Sequence, residues 1–174
     1  MKILTYNIHR CNQEKIDSIL QRGADIMVLP ECACPDQVSL PDGYEMTWAG
    51  DTDFKGLGVI WKSTVKCSVA LWADDEHKYM IPLLVDGKWL LLAAWPTIVP
   101  GIKKTYPQIL LECLKAYSEH IKEMPTMITG DFNCNIGQGG VSKQTGTLEQ
   151  CIEYMHELGL RSEYHERTQE EFGK

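Results

Sequence analysis

The sequence predicts a mixed α/β domain, and three observations carry that expectation. The opening alternates strand-like and helix-like stretches, the middle is a series of strand-like runs split by turn residues, and the last third returns to helical periodicity. A length of 174 residues, 44% hydrophobic and 24% charged, fits one globular domain with enough apolar surface to offset the entropy of ordering the chain.

Taken in order, Lys2–Ile8 reads as a strand, Gln13–Arg22 as a short amphipathic helix and Asp25–Leu29 as a buried strand. A β-α-β crossover is normally right-handed and sets its two strands parallel, so both end at one sheet edge. Asn7 and Glu31 are then expected to be near neighbours. Tyr44–Ala49, Gly56–Trp61, Val65–Trp72, Lys78–Val85 and Lys88–Trp95 follow as an antiparallel section, with Asp86-Gly87 as a hairpin turn. Tyr106–Lys122 puts Ile109, Leu110, Cys113, Leu114, Tyr117 and Ile121 on one helical stripe. Met124–Thr129 returns as a buried strand. A last helix, Leu148–Leu158, carries Thr147 and Gln150 in capping-box spacing and Gly159 as its stop. Sheets inside and helices outside is the simplest packing of these segments.

Charge narrows the function. With 17 Lys+Arg against 24 Asp+Glu, the net −7 disfavours a chain whose main task is to coat DNA or an anionic membrane, and leaves a small acidic substrate or a local basic cleft. The N-terminus turns polar too early for a signal peptide. The longest apolar run, Trp89 to Pro96, is far short of the roughly 20 residues that cross a bilayer. A soluble, cytoplasmic protein with no membrane partner is expected. Seven cysteines (Cys11, Cys32, Cys34, Cys67, Cys113, Cys134, Cys151), odd in number and without C-x-x-C spacing, read as reduced thiols, mostly buried.

The chemistry concentrates at strand ends. Gly130-Asp131-Phe132-Asn133 leaves the apolar run Met127-Ile128-Thr129 at its carboxyl end, the edge where α/β sheets place ligands. There Asp131 can attract a cation or a proton and Asn133 can orient a phosphate or a water. A plain Asp/Asn turn is the competing reading. Glu31 closes the buried stretch Asp25–Pro30, and Asn7 closes the first strand. Each alone reads as a solvated strand end, but polar groups from three strands sharing one edge read as a site. Oxygen ligands of this kind suit Mg²⁺ or Mn²⁺.

In the order Thr5-Tyr6-Asn7-Ile8, Leu29-Pro30-Glu31, Lys55-Gly56-Leu57-Gly58-Val59 and Gly130-Asp131-Phe132-Asn133, the sequence resembles the endonuclease/exonuclease/phosphatase superfamily. The closing Glu170-Glu171-Phe172-Gly173-Lys174 is similar to a segment of its small bacterial members. The resemblance implies a four-layered α/β sandwich and a Mg²⁺-dependent hydrolase of phosphate esters, a nuclease or a phosphatase. Its substrate is then nucleic acid or a phosphorylated small molecule. It implies Glu31 as the principal metal ligand with Asn7 in support, Asp131 as the group that orients or deprotonates water, and Asn133 as the holder of the scissile phosphate.

Two departures accompany the resemblance. Trp95 stands where the family carries a Tyr- or His-type phosphate contact, and core packing is its competing role. The family ends in a Ser-Asp-His element, whereas no aspartate follows Asp131 here. Ser118-Glu119-His120 is expected to be helix surface. The resemblance thus implies a C-terminally incomplete fold lacking its last strands, which binds Mg²⁺ and turns over poorly. A catalytically impaired metal- and phosphate-binding module is the alternative. A third reading is an interaction domain whose open sheet edge is covered by a partner chain or a second copy. Weaker features are a Gly137-Gln138-Gly139-Gly140 loop, a basic rim of Lys62, Lys66, Lys103 and Lys104, and the tryptophans Trp48, Trp61, Trp72 and Trp89 as core.

Overall fold

The computed structural model describes residues 1–98, 101, 103–136 and 146–172. The Gly137–Gly140 loop, and Gly173 and Lys174 of the closing segment, lie outside the described residues. Two compact units emerge, Met1–Trp95 with Met127–Asp131, and Pro96–Thr126 with Phe132–Lys174.

The first unit carries two four-stranded sheets. In one, β1 (Ile3–Thr5), β2 (Ile26–Cys32), β4 (Lys55–Lys62) and β3 (Tyr44–Thr52) lie in the order β1-β2-β4-β3. β1 and β2 are parallel, with Leu4 opposite Met27, and α1 (Gln13–Leu20) is the crossover between them. Asn12 caps α1 by accepting from Lys15 N, and Ile16 and Ile19 form its buried face. Ile26, Met27, Val28 and Leu29 are fully buried, so β2 can afford no polar side chain until its exit. The strand runs three residues past the expected Leu29 because Cys32 pairs with Gly56 beyond an irregularity at Glu31.

β4 packs flat for a reason visible in its Lys55-Gly56-Leu57-Gly58 start. A Cβ on Gly56 would lie 2.4 Å from the Trp48 ring, and one on Gly58 would lie 2.9 Å from Cys32. Trp48 is in turn tied across the sheet, its indole N–H donating to Cys32 O at 3.0 Å.

The second sheet takes β5 (Cys67–Val69), β6 (Met80–Val85), β7 (Trp89–Ala94) and β8 (Thr126–Gly130) in that order. The hairpin β6–β7 is antiparallel, with Leu83 opposite Leu91. β5 is much shorter than Val65–Trp72, since the chain leaves the sheet at Leu71, which is completely exposed. β8 is half-buried, not buried as expected, because it stands last in the sheet order, with Met127 exposed.

The second unit is helical. One helix was expected over Tyr106–Lys122, but α2 (Tyr106–Ala116) and α3 (Ser118–Glu123) are separated by Tyr117, whose backbone leaves the helical region. Leu110, Cys113, Leu114, Tyr117 and Ile121 are all buried, so the apolar stripe continues across a break that only the backbone records. Ser118-Glu119-His120 opens α3, where Glu119 pairs with Lys122 at 2.9 Å. α4 (Leu148–Glu157) has the capping box read from Thr147 and Gln150, and Cys151 Sγ donates to Pro107 O, seating α4 on α2. α5 (Glu163–Thr168) buries no side chain, and no periodic signal marked it. Among the described residues no helix is long and apolar enough to cross a membrane. All seven cysteines keep their thiols, with no disulfide among the described residues, and Cys32, Cys34, Cys113 and Cys151 are buried.

Candidate active site

Three expected site residues meet in the first unit. Asn7 leaves β1 and Glu31 lies in the exit of β2, as the parallel crossover requires, and Asp131 follows β8. The Asn7 carboxamide joins them, donating through Nδ2 to Asp131 Oδ2 at 2.8 Å and to Glu31 Oε1 at 3.4 Å. Its orientation is set from the other side, because Asn7 Oδ1 accepts the His9 backbone N–H at 3.0 Å.

Local backbone geometry aims two of these groups. Glu31 has φ +63°, a left-handed conformation that a non-glycine residue adopts at a cost, and it sits at the β2 irregularity. Gly130 has φ +149°, and a Cβ there would lie 1.8 Å from Ala94 O. Only glycine lets the end of β8 press onto β7 so closely, and Asp131 N then donates to the same Ala94 O at 3.0 Å. Strained backbone of this kind clusters at functional sites.

Asn133 belongs to the second unit. Its Nδ2 donates to Pro96 O at 3.0 Å, and its own φ is +52°. Trp95 is 2% exposed, with its indole N–H unpartnered among the described residues, so it is a packing residue as the competing reading held.

Two further residues reach Glu31 that were not expected beside it. His9 Nδ1 lies 2.9 Å from Glu31 Oε2, and Lys55 Nζ lies 3.6 Å from Oε1. His9 follows Asn7 by two residues at a strand exit, a spacing that could have flagged it. Lys55 is brought there only by the antiparallel register that sets Gly56 opposite Cys32. Burial raises the Glu31 carboxyl pKa, but the His9 and Asn7 hydrogen bonds and the Lys55 charge outweigh it and hold the group below the ordinary glutamate value. Of the expected basic rim, Lys62 is paired to Asp25 at 2.9 Å and Lys104 to Glu112 at 2.7 Å.

Among the described residues no three His, Cys, Asp or Glu side chains gather as a closed metal cage. That donor set does not suit Zn²⁺, which wants four tight ligands. It does suit a hard cation that keeps most of its waters and takes one or two carboxylates, the habit of Mg²⁺. The Lys55 ammonium 3.6 Å from Glu31 Oε1 already places one positive charge beside this carboxylate.

No protein-family model matches the chain, and neither does any curated protein. Among solved structures, the chain is similar to a 3'-5' exonuclease (NExo) from Neisseria meningitidis, with 17% identity, a TM-score of 0.55, and coverage of 95% of this chain and 74% of that one. It is equally similar to the 3' phosphatase NExo from Neisseria bound to product DNA hairpin, with 17% identity, a TM-score of 0.57 and the same coverage. At that identity the likeness speaks for the fold alone: the chain has a mixed α/β architecture similar to that of NExo.

Proposed function

We propose that the chain is a divalent-cation-dependent phosphoesterase acting on phosphate esters of nucleic acid. The observation that carries this reading is the Asn7 carboxamide held between Glu31 and Asp131, with Glu31 locked in a left-handed backbone. The DNA hairpin on a protein of the same fold favours nucleic acid over a phosphorylated small molecule.

Glu31 would hold Mg²⁺, with Asn7 beside it. The cation supplies Lewis-acid polarisation of a phosphoryl oxygen and neutralises developing charge. Asp131 takes the water proton and aligns the water for in-line attack, its carboxylate steadied by the Asn7 N–H. Positioning and charge stabilisation account for most of the rate in such a site.

The test is hydrolysis of bis-p-nitrophenyl phosphate with Mg²⁺. Asp131→Asn should lower kcat by about 10²–10³, the usual cost of one preorganised group. An unchanged rate in that variant overturns the reading. A second reading is a module that binds cation and phosphate without turnover, in which the Asn7 carboxamide between Glu31 and Asp131 serves binding alone. It predicts Mg²⁺ binding by titration calorimetry with no hydrolysis.

A further inference from the structure

We propose that Lys55 is a partner-exchanging residue: its ammonium sits on Glu31 until a divalent cation takes that carboxylate, and then binds the phosphate of the substrate. The proposal rests on the phosphoesterase reading and adds to it a phosphate-binding residue and an order of events.

Four observations carry it. Lys55 Nζ stands 3.6 Å from Glu31 Oε1, close enough for attraction and too long for a hydrogen bond. The Glu31 side chain is 18% exposed while that of Lys55 is 53% exposed, so the carboxylate is fixed and the ammonium faces solvent. The stem is guided, because Nζ lies 5.4 Å from the centroid of the buried Trp95 ring, a cation–π contact that keeps the charge at the site when its ion pair is broken. Glu31 keeps other partners, His9 at 2.9 Å and Asn7 at 3.4 Å, so its position does not depend on Lys55.

Electrostatics then give the exchange its direction. A divalent cation on Glu31 cancels the charge that attracts Lys55 and repels the ammonium. A phosphate held at the same place attracts both positive charges. Lysine binds phosphate as a mobile point charge, so it can follow the anion without a fixed fork.

Titration calorimetry with MgCl₂, and then with inorganic phosphate at saturating MgCl₂, tests this on wild type, Lys55→Met and Lys55→Arg. Removing the competing charge should tighten Mg²⁺ binding by about threefold and weaken phosphate binding by about fivefold, the scale of a solvent-facing ion pair. The Arg variant should stay within twofold of wild type on both, by retention of charge. In hydrolysis the Met variant should raise KM and leave kcat within twofold. Lys78→Met, which removes a lysine charge from a different carboxylate, should change neither affinity. Thermal melts confirm folding, and Lys55→Gln repeats the titrations if the Met variant fails to fold. Wild-type Mg²⁺ and phosphate affinities in folded Met or Gln variants overturn the role of Lys55 alone. A wild type that binds no Mg²⁺ overturns the phosphoesterase reading, and the exchange with it.

Discussion

Two carboxylates of the first unit look alike on paper and differ in the way that matters. Glu31 faces Lys55, which lies over the Trp95 ring, and Asp51 faces Lys78, which lies over the Tyr79 ring at 5.5 Å. The two rings meet edge to face with centroids 5.4 Å apart. Asp51, however, is closed: Lys78 and the Tyr79 hydroxyl both donate to it, and those hydrogen bonds hold its carboxyl below the usual aspartate value. Its left-over capacity is small. Glu31 is open to exchange, with a lysine at ion-pair distance and a neighbouring carboxylate reached through an amide. A carboxylate, a lysine and an aromatic ring thus make a tether in one place and a receptive site in the other. What separates them is the hold on the lysine, hydrogen-bonded at Asp51 and only at ion-pair distance at Glu31, and backbone conformation, since Glu31 alone of the two has positive φ.

The sharpest way to break this contrast is to neutralise each carboxylate in turn. Glu31→Gln should lower hydrolysis of bis-p-nitrophenyl phosphate by about 10²-fold or more, the scale of losing a principal electrostatic group. Asp51→Asn should leave the rate within about threefold, because no step of the reaction uses it. Equal losses would erase the distinction between tether and site. A smaller effect sharpens the other side of it. Tyr79 is 7% exposed and donates to Asp51, so Tyr79→Phe should cost about 1–2 kcal/mol in urea unfolding while hydrolysis is unchanged. The smallest effect concerns acid. The Glu31 and Asp51 carboxyls both have lowered folded pKa values, so their stabilisation is complete above the ordinary values of 4.5 and 3.8 and is lost as the pH falls through the folded ones. In unfolding measured from pH 6 downward, Asp51→Asn and Glu31→Gln should each flatten the acid limb, and a limb identical to wild type would show that these contacts add nothing.

How much of this was legible depended on whether an interaction was local or periodic. The neighbourhood of Asn7 and Glu31 followed from one rule about parallel crossovers, and the register of Leu4 with Met27 realises it. Thr147 and Gln150 were readable because a capping box is a four-residue event. The break at Tyr117 was not, since the buried face continues through it. α5 was not, since it buries nothing. Lys55 was named in a motif and still missed as a neighbour of Glu31, because that contact arises from pairing between distant strands. Gly56 and Gly130 show the reverse: their identity was plain, but the reason waited for the Trp48 ring and the Ala94 carbonyl.

The left-handed backbone at Glu31 sets durability against reactivity at a single position. Glycine there would relax a strained conformation and make a sturdier molecule, while deleting the carboxylate on which the proposed chemistry depends. Selection for heat tolerance alone would therefore erode this residue early, and its persistence in a population of variants would register a demand that folding by itself does not make.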